Sequence, residues 1–128
     1  MKSTLITLLA ICAMIVTGCT TPVAIDPQTG QEQLAEYRAG YLYAPLDAPI
    51  RTIFKTAIRE IDSMGYFRTG ELHKETAISI YARKVGDEKI TIRIRQTAEG
   101  QAEIRIRVGK LGDLAESQSI YARIRDSL

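Results

Sequence analysis

The sequence predicts an α+β domain: a single antiparallel sheet of four to five strands with two helices packed on one face, in the order β-α-β-β-β-β-α. Three observations predict it. Between Ile78 and Val108 apolar residues recur at even-numbered positions, the period of strands with one buried face. Two other segments, starting near Ile50 and Leu114, carry apolar residues at the three-and-four spacing of a helix face. Residues 20–40 keep no sustained apolar period and fall outside the domain, which spans 41–128.

The first strand is expected in "YLYAPLD", where Pro45 suits an edge or a strand end. A helix follows, with Asp47 as its cap and Pro49 in its first turn, and Ile50, Ile53, Phe54, Ala57, Ile58 and Ile61 form its apolar face. Gly65 ends it. "YFRTGELHKE" reads as a short strand and a turn. Three clearer strands are expected near 76–84, 89–96 and 102–108, with Ile78, Ile80, Ala82, Ile90, Ile92, Ile94, Ile104, Ile106 and Val108 on one face. Asp113 then caps a last helix, with Glu116 three residues on able to reach back as in a capping box. Its stripe is Leu114, Ile120, Tyr121, Ile124 and Leu128. Both helices therefore cover the isoleucine face.

Loop chemistry proposes a register. "AEG" at 98–100 fits a three-residue hairpin with Gly100 left-handed and Thr97 facing Gln101. Ile94 then meets Ile104 and Ile92 meets Ile106, while on the opposite face Arg95 meets Glu103, Arg93 meets Arg105 and Thr91 meets Arg107. A similar loop at 85–87 pairs Tyr81 with Thr91 and Ser79 with Arg93. The uncovered face thus gathers Arg83, Lys89, Arg93, Arg105 and Arg107 around Tyr81, a surface suited to bidentate contact with phosphate or carboxylate. Like charges directly opposite cost a few tenths to about 1 kcal/mol unless something neutralises them. A plainer reading stays open, in which arginine is soluble cover for a solvent face.

The N-terminus reads as a secretion signal. Lys2 precedes an apolar run from Leu5 to Val16, shorter than the roughly 20 residues of a spanning helix. "VTGC" at 16–19 matches a lipobox, so residues 1–18 are expected to be cleaved and Cys19 to carry acyl chains such as palmitate. Multiple chains make such anchoring stable. Cys12 leaves with the signal, so the mature chain has one cysteine and no internal disulfide. Residues 19–40, with Pro22, Pro27 and Gly30, read as the lipidated cysteine and a flexible tether holding at most a helical turn near Gln31–Tyr37. Thr20, in place of Asp, favours sorting to the outer membrane, facing the periplasm. Loss of Lys2 takes the 17 Lys and Arg to 16 against 15 Asp and Glu, a net charge near +1 that argues against nucleic-acid binding.

Chemistry is sparse. His73 is the single histidine, which leaves zinc only carboxylates as companions, a poor set. Ser117 and Ser119 have no histidine base in view, and the scattered acids form no recognisable pair. Gly109 and Gly112 in "GKLG" complete no phosphate-loop pattern and suit a tight strand-to-helix turn before Asp113. No enzyme, cofactor or metal is expected.

"IRVGKLGDLAESQSIYARI" at 106–124 and "LDAPIRTIFKTAIREIDSMGY" at 46–66 together resemble a family of small bacterial lipoproteins known as a domain of unknown function. The I-R-V-G-x-x-G-D turn, here Ile106, Arg107, Val108, Gly109, Gly112 and Asp113, is the specific part. The resemblance implies a lipobox, a capped first helix and a strand-rich middle, and it implies no activity. The expectation is a cell-envelope lipoprotein, a non-catalytic binding or assembly module whose Arg and Tyr face takes an anionic envelope ligand or partner. Its rivals are a structural accessory of an envelope complex that uses a sheet edge, and an enzyme of unrecognised type.

Overall fold

The computed structural model describes residues 21–23, as backbone, and 35–128. Cys19 and the signal segment lie outside the described residues. The elements are β1 (Thr21–Val23), β2 (Ala35–Arg38), β3 (Tyr41–Leu46), α1 (Ile50–Ser63), β4 (Phe67–His73), β5 (Ala77–Lys84), β6 (Glu88–Ala98), β7 (Gln101–Val108) and α2 (Leu114–Asp126). All strand pairs are antiparallel, in the order β1-β2-β3-β7-β6-β5-β4.

The α+β class with a single sheet holds, but the strand count rises. Six strands lie between Ala35 and Val108, and Thr21–Val23 adds a seventh, so four to five was too few. The extra strands fall within 19–40, the stretch expected to be tether, and Ala35–Arg38 is a strand where at most a helical turn was expected. Ala35 is fully buried, and pairing with β3 satisfies a backbone too short to fold alone.

The even-numbered residues form the core. Ile80, Ile90, Ile92, Ile94, Ile104 and Ile106 are at most 1 % exposed, each worth about 1.5–3 kcal/mol of burial. Leu42, Ala44 and Leu46 of β3 extend the same face, opposite Ile106, Ile104 and Ala102. Over it α1 packs against β4, β5 and β6, and α2 against β3 and β7. Ile53, Ala57 and Ile61 of α1 meet Ile120, Tyr121 and Ile124 of α2 in one cluster, with Phe54, Ile58 and Leu114 at its margin. Leu128 lies past the end of α2 and is exposed, so it drops out of the expected stripe.

Pro45 explains how a proline sits in an interior strand. β2 pairs with β3 only from Tyr41 to Tyr43, so at Pro45 the strand has β7 alone as neighbour. A missing N–H costs nothing on a side where no strand accepts it. The Pro45 carbonyl accepts the Tyr121 hydroxyl at 2.9 Å, which ties α2 to β3.

The helix ends correct two expectations. Pro49, not Asp47, is the N-cap of α1: its extended backbone (φ −64°, ψ 147°) turns the chain into the helix, its carbonyl accepts the Ile53 N–H, and no side chain caps. Its C-terminus is a Schellman motif, with Gly65 N–H on the Asp62 carbonyl, Tyr66 N–H on the Ile61 carbonyl and Gly65 left-handed at φ +82°. For α2, Asp113 does cap, accepting the Glu116 N–H at 3.0 Å. Glu116 does not reach back. Its carboxylate takes the Tyr66 hydroxyl and lies 3.3 Å from the Lys84 ammonium, because the β4 and β5 ends offer stronger partners than a backbone N–H.

Candidate functional site

Among the described residues no element covers the face away from the helices, and its composition follows from period two once the register is known. Ile92 opposite Ile106 forces Arg93 opposite Arg105, and Tyr81 opposite Thr91 forces Ser79 opposite Arg93, as expected. Only the loop differs. Ala98, not Thr97, pairs with Gln101, and the ladder shifts between Gln96 and Ala98, so the extra residue is taken up as a bulge.

One row runs from β4 to β2 through Leu72, Ser79, Arg93, Arg105, Tyr43 and Glu36, with Pro22 of β1 opposite Glu36. In the next row toward the Gly40 turn lie Tyr81, Thr91 and Arg107, and there Tyr41 stands opposite Arg38. The guanidiniums of Arg38 and Arg105 lie 4.5 and 5.0 Å from the Tyr43 ring centroid. Those of Arg107 and Arg93 lie 5.3 and 5.7 Å from the Tyr41 centroid. The two rings meet edge to face at 6.3 Å.

This arrangement answers the like-charge problem. Arg105 turns to Glu103 on its own strand at 2.8 Å, and Arg93 lies diagonally over Tyr41. Each exposed cation–π contact contributes about 0.5–1 kcal/mol, the size of the repulsion it offsets. The expected centre of the patch is therefore corrected: Tyr81 sits in the row but no guanidinium stacks on it, and Tyr41 and Tyr43 hold the arginines. Their signal in the sequence was the alternation of "YLY", whose meaning depends on β3 pairing with β7.

The other expected residues divide by partner. Arg83 is bound to Asp87 at 2.5 Å. Arg107 donates to the Gly109 carbonyl at 3.3 Å and to the Lys110 carbonyl, so it braces the turn after β7. Arg93 is exposed and has no ion pair among the described residues. With Tyr81, Arg95, Arg105 and Leu72 it lines a shallow hollow of about 280 Å³. A larger groove of about 820 Å³ opens at the sheet end, between the 85–87 turn and Gly109–Lys110, with Tyr41, Arg83, Lys89 and Arg107 in its walls.

The strand-to-helix turn is built on close approach. Gly109 and Gly112 have φ of +75° and +83°. A Cβ on Gly112 would stand 2.4 Å from the Gly40 carbonyl oxygen and 2.4 Å from the Tyr37 hydroxyl, so this turn and the β2–β3 turn are in direct contact.

On the helix side, burial first, and then its bond to the Glu116 carboxylate, hold the Tyr66 hydroxyl well above its ordinary pKa. Burial likewise raises Tyr121. His73 ends the exposed β4, edge on to Phe54 at 4.9 Å and 3.5 Å from Glu71. Among the described residues no three His, Cys, Asp or Glu side chains gather to hold a metal, and no helix is long and apolar enough to cross a membrane.

No curated protein matches the chain. A family model described as "Protein of unknown function (DUF3568)" matches residues 2–127, nearly the whole sequence, and the chain belongs to that family.

Proposed function

We propose that this protein is a lipoprotein anchored through Cys19 to the cell envelope, at the outer membrane facing the periplasm, and that it acts as a non-catalytic binding or assembly module. Its uncovered sheet face engages an anionic envelope component or an acidic partner. The observation that carries this reading is the set of four guanidiniums, from Arg38, Arg93, Arg105 and Arg107, around Tyr41 and Tyr43 on a face with no helix over it. Rings hold the arginine planes in place at little entropic cost, and a guanidinium stacked on a ring keeps in-plane donors for phosphate or carboxylate oxygens.

The test is binding to envelope fractions and anionic vesicles at low and high salt. Arg93→Gln is the first variant, because Arg93 is exposed and carries no ion pair whose loss would disturb the fold. The triple variant Arg93→Gln, Arg105→Gln, Arg107→Gln follows, with its fold checked by circular dichroism. Salt-sensitive binding weakened by the first and lost in the second supports the reading. Equal binding by folded wild type and triple variant sinks it.

A second reading rests on β4. All seven residues from Phe67 to His73 are exposed along a sheet edge, a template for an added strand of a partner. A partner captured equally well by the triple arginine variant favours that edge.

A further inference from the structure

Three of the five large apolar residues that stand exposed among the described residues, Phe67, Val85 and Leu111, lie at one end of the sheet. Register puts them there: Phe67 is opposite Arg83, Arg83 is opposite Lys89, and the Lys89 carbonyl accepts the Gly109 N–H two residues before Leu111. Val85 and Leu111 are 82 % and 91 % exposed. Lys89 and Lys110 lie beside them, exposed and without an ion pair among the described residues. The acids of this end are Asp87, bound to Arg83, Glu88, Asp113, which caps α2, and Glu116, bound to Lys84. Apolar tips flanked by free lysines are the composition of a surface that rests on anionic headgroups.

The course of the chain selects the same end. β1 pairs with β2 so that Thr21 stands opposite Tyr37, and Arg38, the next residue, stands opposite Tyr41 at the Gly40 turn. Gly40 touches Leu111 and Gly112. Cys19 is two residues before Thr21, a reach of about 7 Å. Thr21, the described residue nearest Cys19 in the chain, is therefore at the same end of the sheet as the turns carrying Leu111 and Val85, while the Glu99–Gly100 hairpin lies at the opposite end.

We infer that this end of the sheet is a membrane-docking surface: Val85 and Leu111 enter the headgroup layer of a phosphate-bearing bilayer, Lys89 and Lys110 meet its phosphates, and the strands stand upright on the membrane. The inference rests on the lipid anchor at Cys19 and replaces a domain held off by a tether with one seated on the bilayer. The Arg93 and Arg105 row then faces sideways, two rows above the Arg83 and Lys89 pair.

The experiment uses the full lipidated protein with one added cysteine, Leu111→Cys or Glu99→Cys, both exposed sites, labelled with an environment-sensitive dye. It is reconstituted in phosphatidylethanolamine and phosphatidylglycerol vesicles bearing brominated acyl chains. Quenching at 111 and none at 99 is the expected result, and Lys89→Gln with Lys110→Gln weakens docking by about fivefold per lysine. Protein that sediments with vesicles while 111 stays unquenched, or while 99 is quenched, overturns the docking and leaves the anchor standing. Protein that fails to sediment at all refutes the anchor and the docking with it.

Discussion

Gly112→Ala tests whether contact between the two turns holds the sheet to α2. Two costs add. At φ +83° an alanine pays about 1–2 kcal/mol for the left-handed backbone. Its Cβ then stands 2.4 Å from the Gly40 carbonyl oxygen and 2.5 Å from the Gly40 Cα, backbone atoms that yield only if the β2–β3 turn moves. Overpacking of that kind adds about 1–3 kcal/mol. Gly65→Ala and Gly86→Ala are the controls, because at φ +82° and +94° they carry the backbone cost with nothing within 4 Å of the new methyl. Urea unfolding of the three variants, with unchanged m, is the assay. The controls are expected to lose about 1–2 kcal/mol and Gly112→Ala about 2–5 kcal/mol. A Gly112→Ala loss no larger than the controls refutes the contact as a structural strut.

Three further outcomes are expected. Ser117 is buried in α2 with its hydroxyl lacking a partner among the described residues, so Ser117→Ala is expected to leave stability unchanged or raise it by up to about 1 kcal/mol in the same urea assay. Asp113→Ala removes a working cap and lowers stability by about 1 kcal/mol, whereas Asp47→Ala, at an exposed residue that caps nothing, changes it by less than about 0.5 kcal/mol. Tyr66 and Tyr121 have folded-state pKa values raised above the unfolded value of 10.0, so above that pH the unfolded chain loses protons that the fold retains. Stability is full below pH 10 and falls as pH rises beyond it; a Tyr66→Phe, Tyr121→Phe double variant that keeps the same alkaline slope in thermal melts contradicts this.

What could be read in the sequence was what is local. The even-numbered isoleucines and the glycine-bearing loops sit within hairpins, so Arg93 opposite Arg105 and Tyr81 opposite Thr91 followed from spacing alone. What could not be read depends on distant pairing. β4 is exposed along its whole length and so shows no apolar period to find. β2 is four residues whose burial of Ala35 exists only once β3 is beside it. Tyr41 and Tyr43 lie about fifty to sixty-five positions before Arg93, Arg105 and Arg107, and the Tyr43 to Arg105 pairing brings them together. Asp47 looked like a cap because aspartate before proline commonly is one. The chain instead enters the helix two residues later, from Pro49.

The position of β7 between β3 and β6 sets the order in which this chain can be finished. As it leaves the ribosome, β1 to β3 have no partner but each other, a ribbon too small to be stable, and β4 to β6 form a separate meander. The two halves share no backbone bond until Gln101–Val108 arrives to pair with both at once. Truncation at residue 100 therefore removes the seam and not merely one strand, and leaves the two halves joined by α1 alone with no strand between them. A nascent chain stays threadable through a narrow channel until its last quarter has been made.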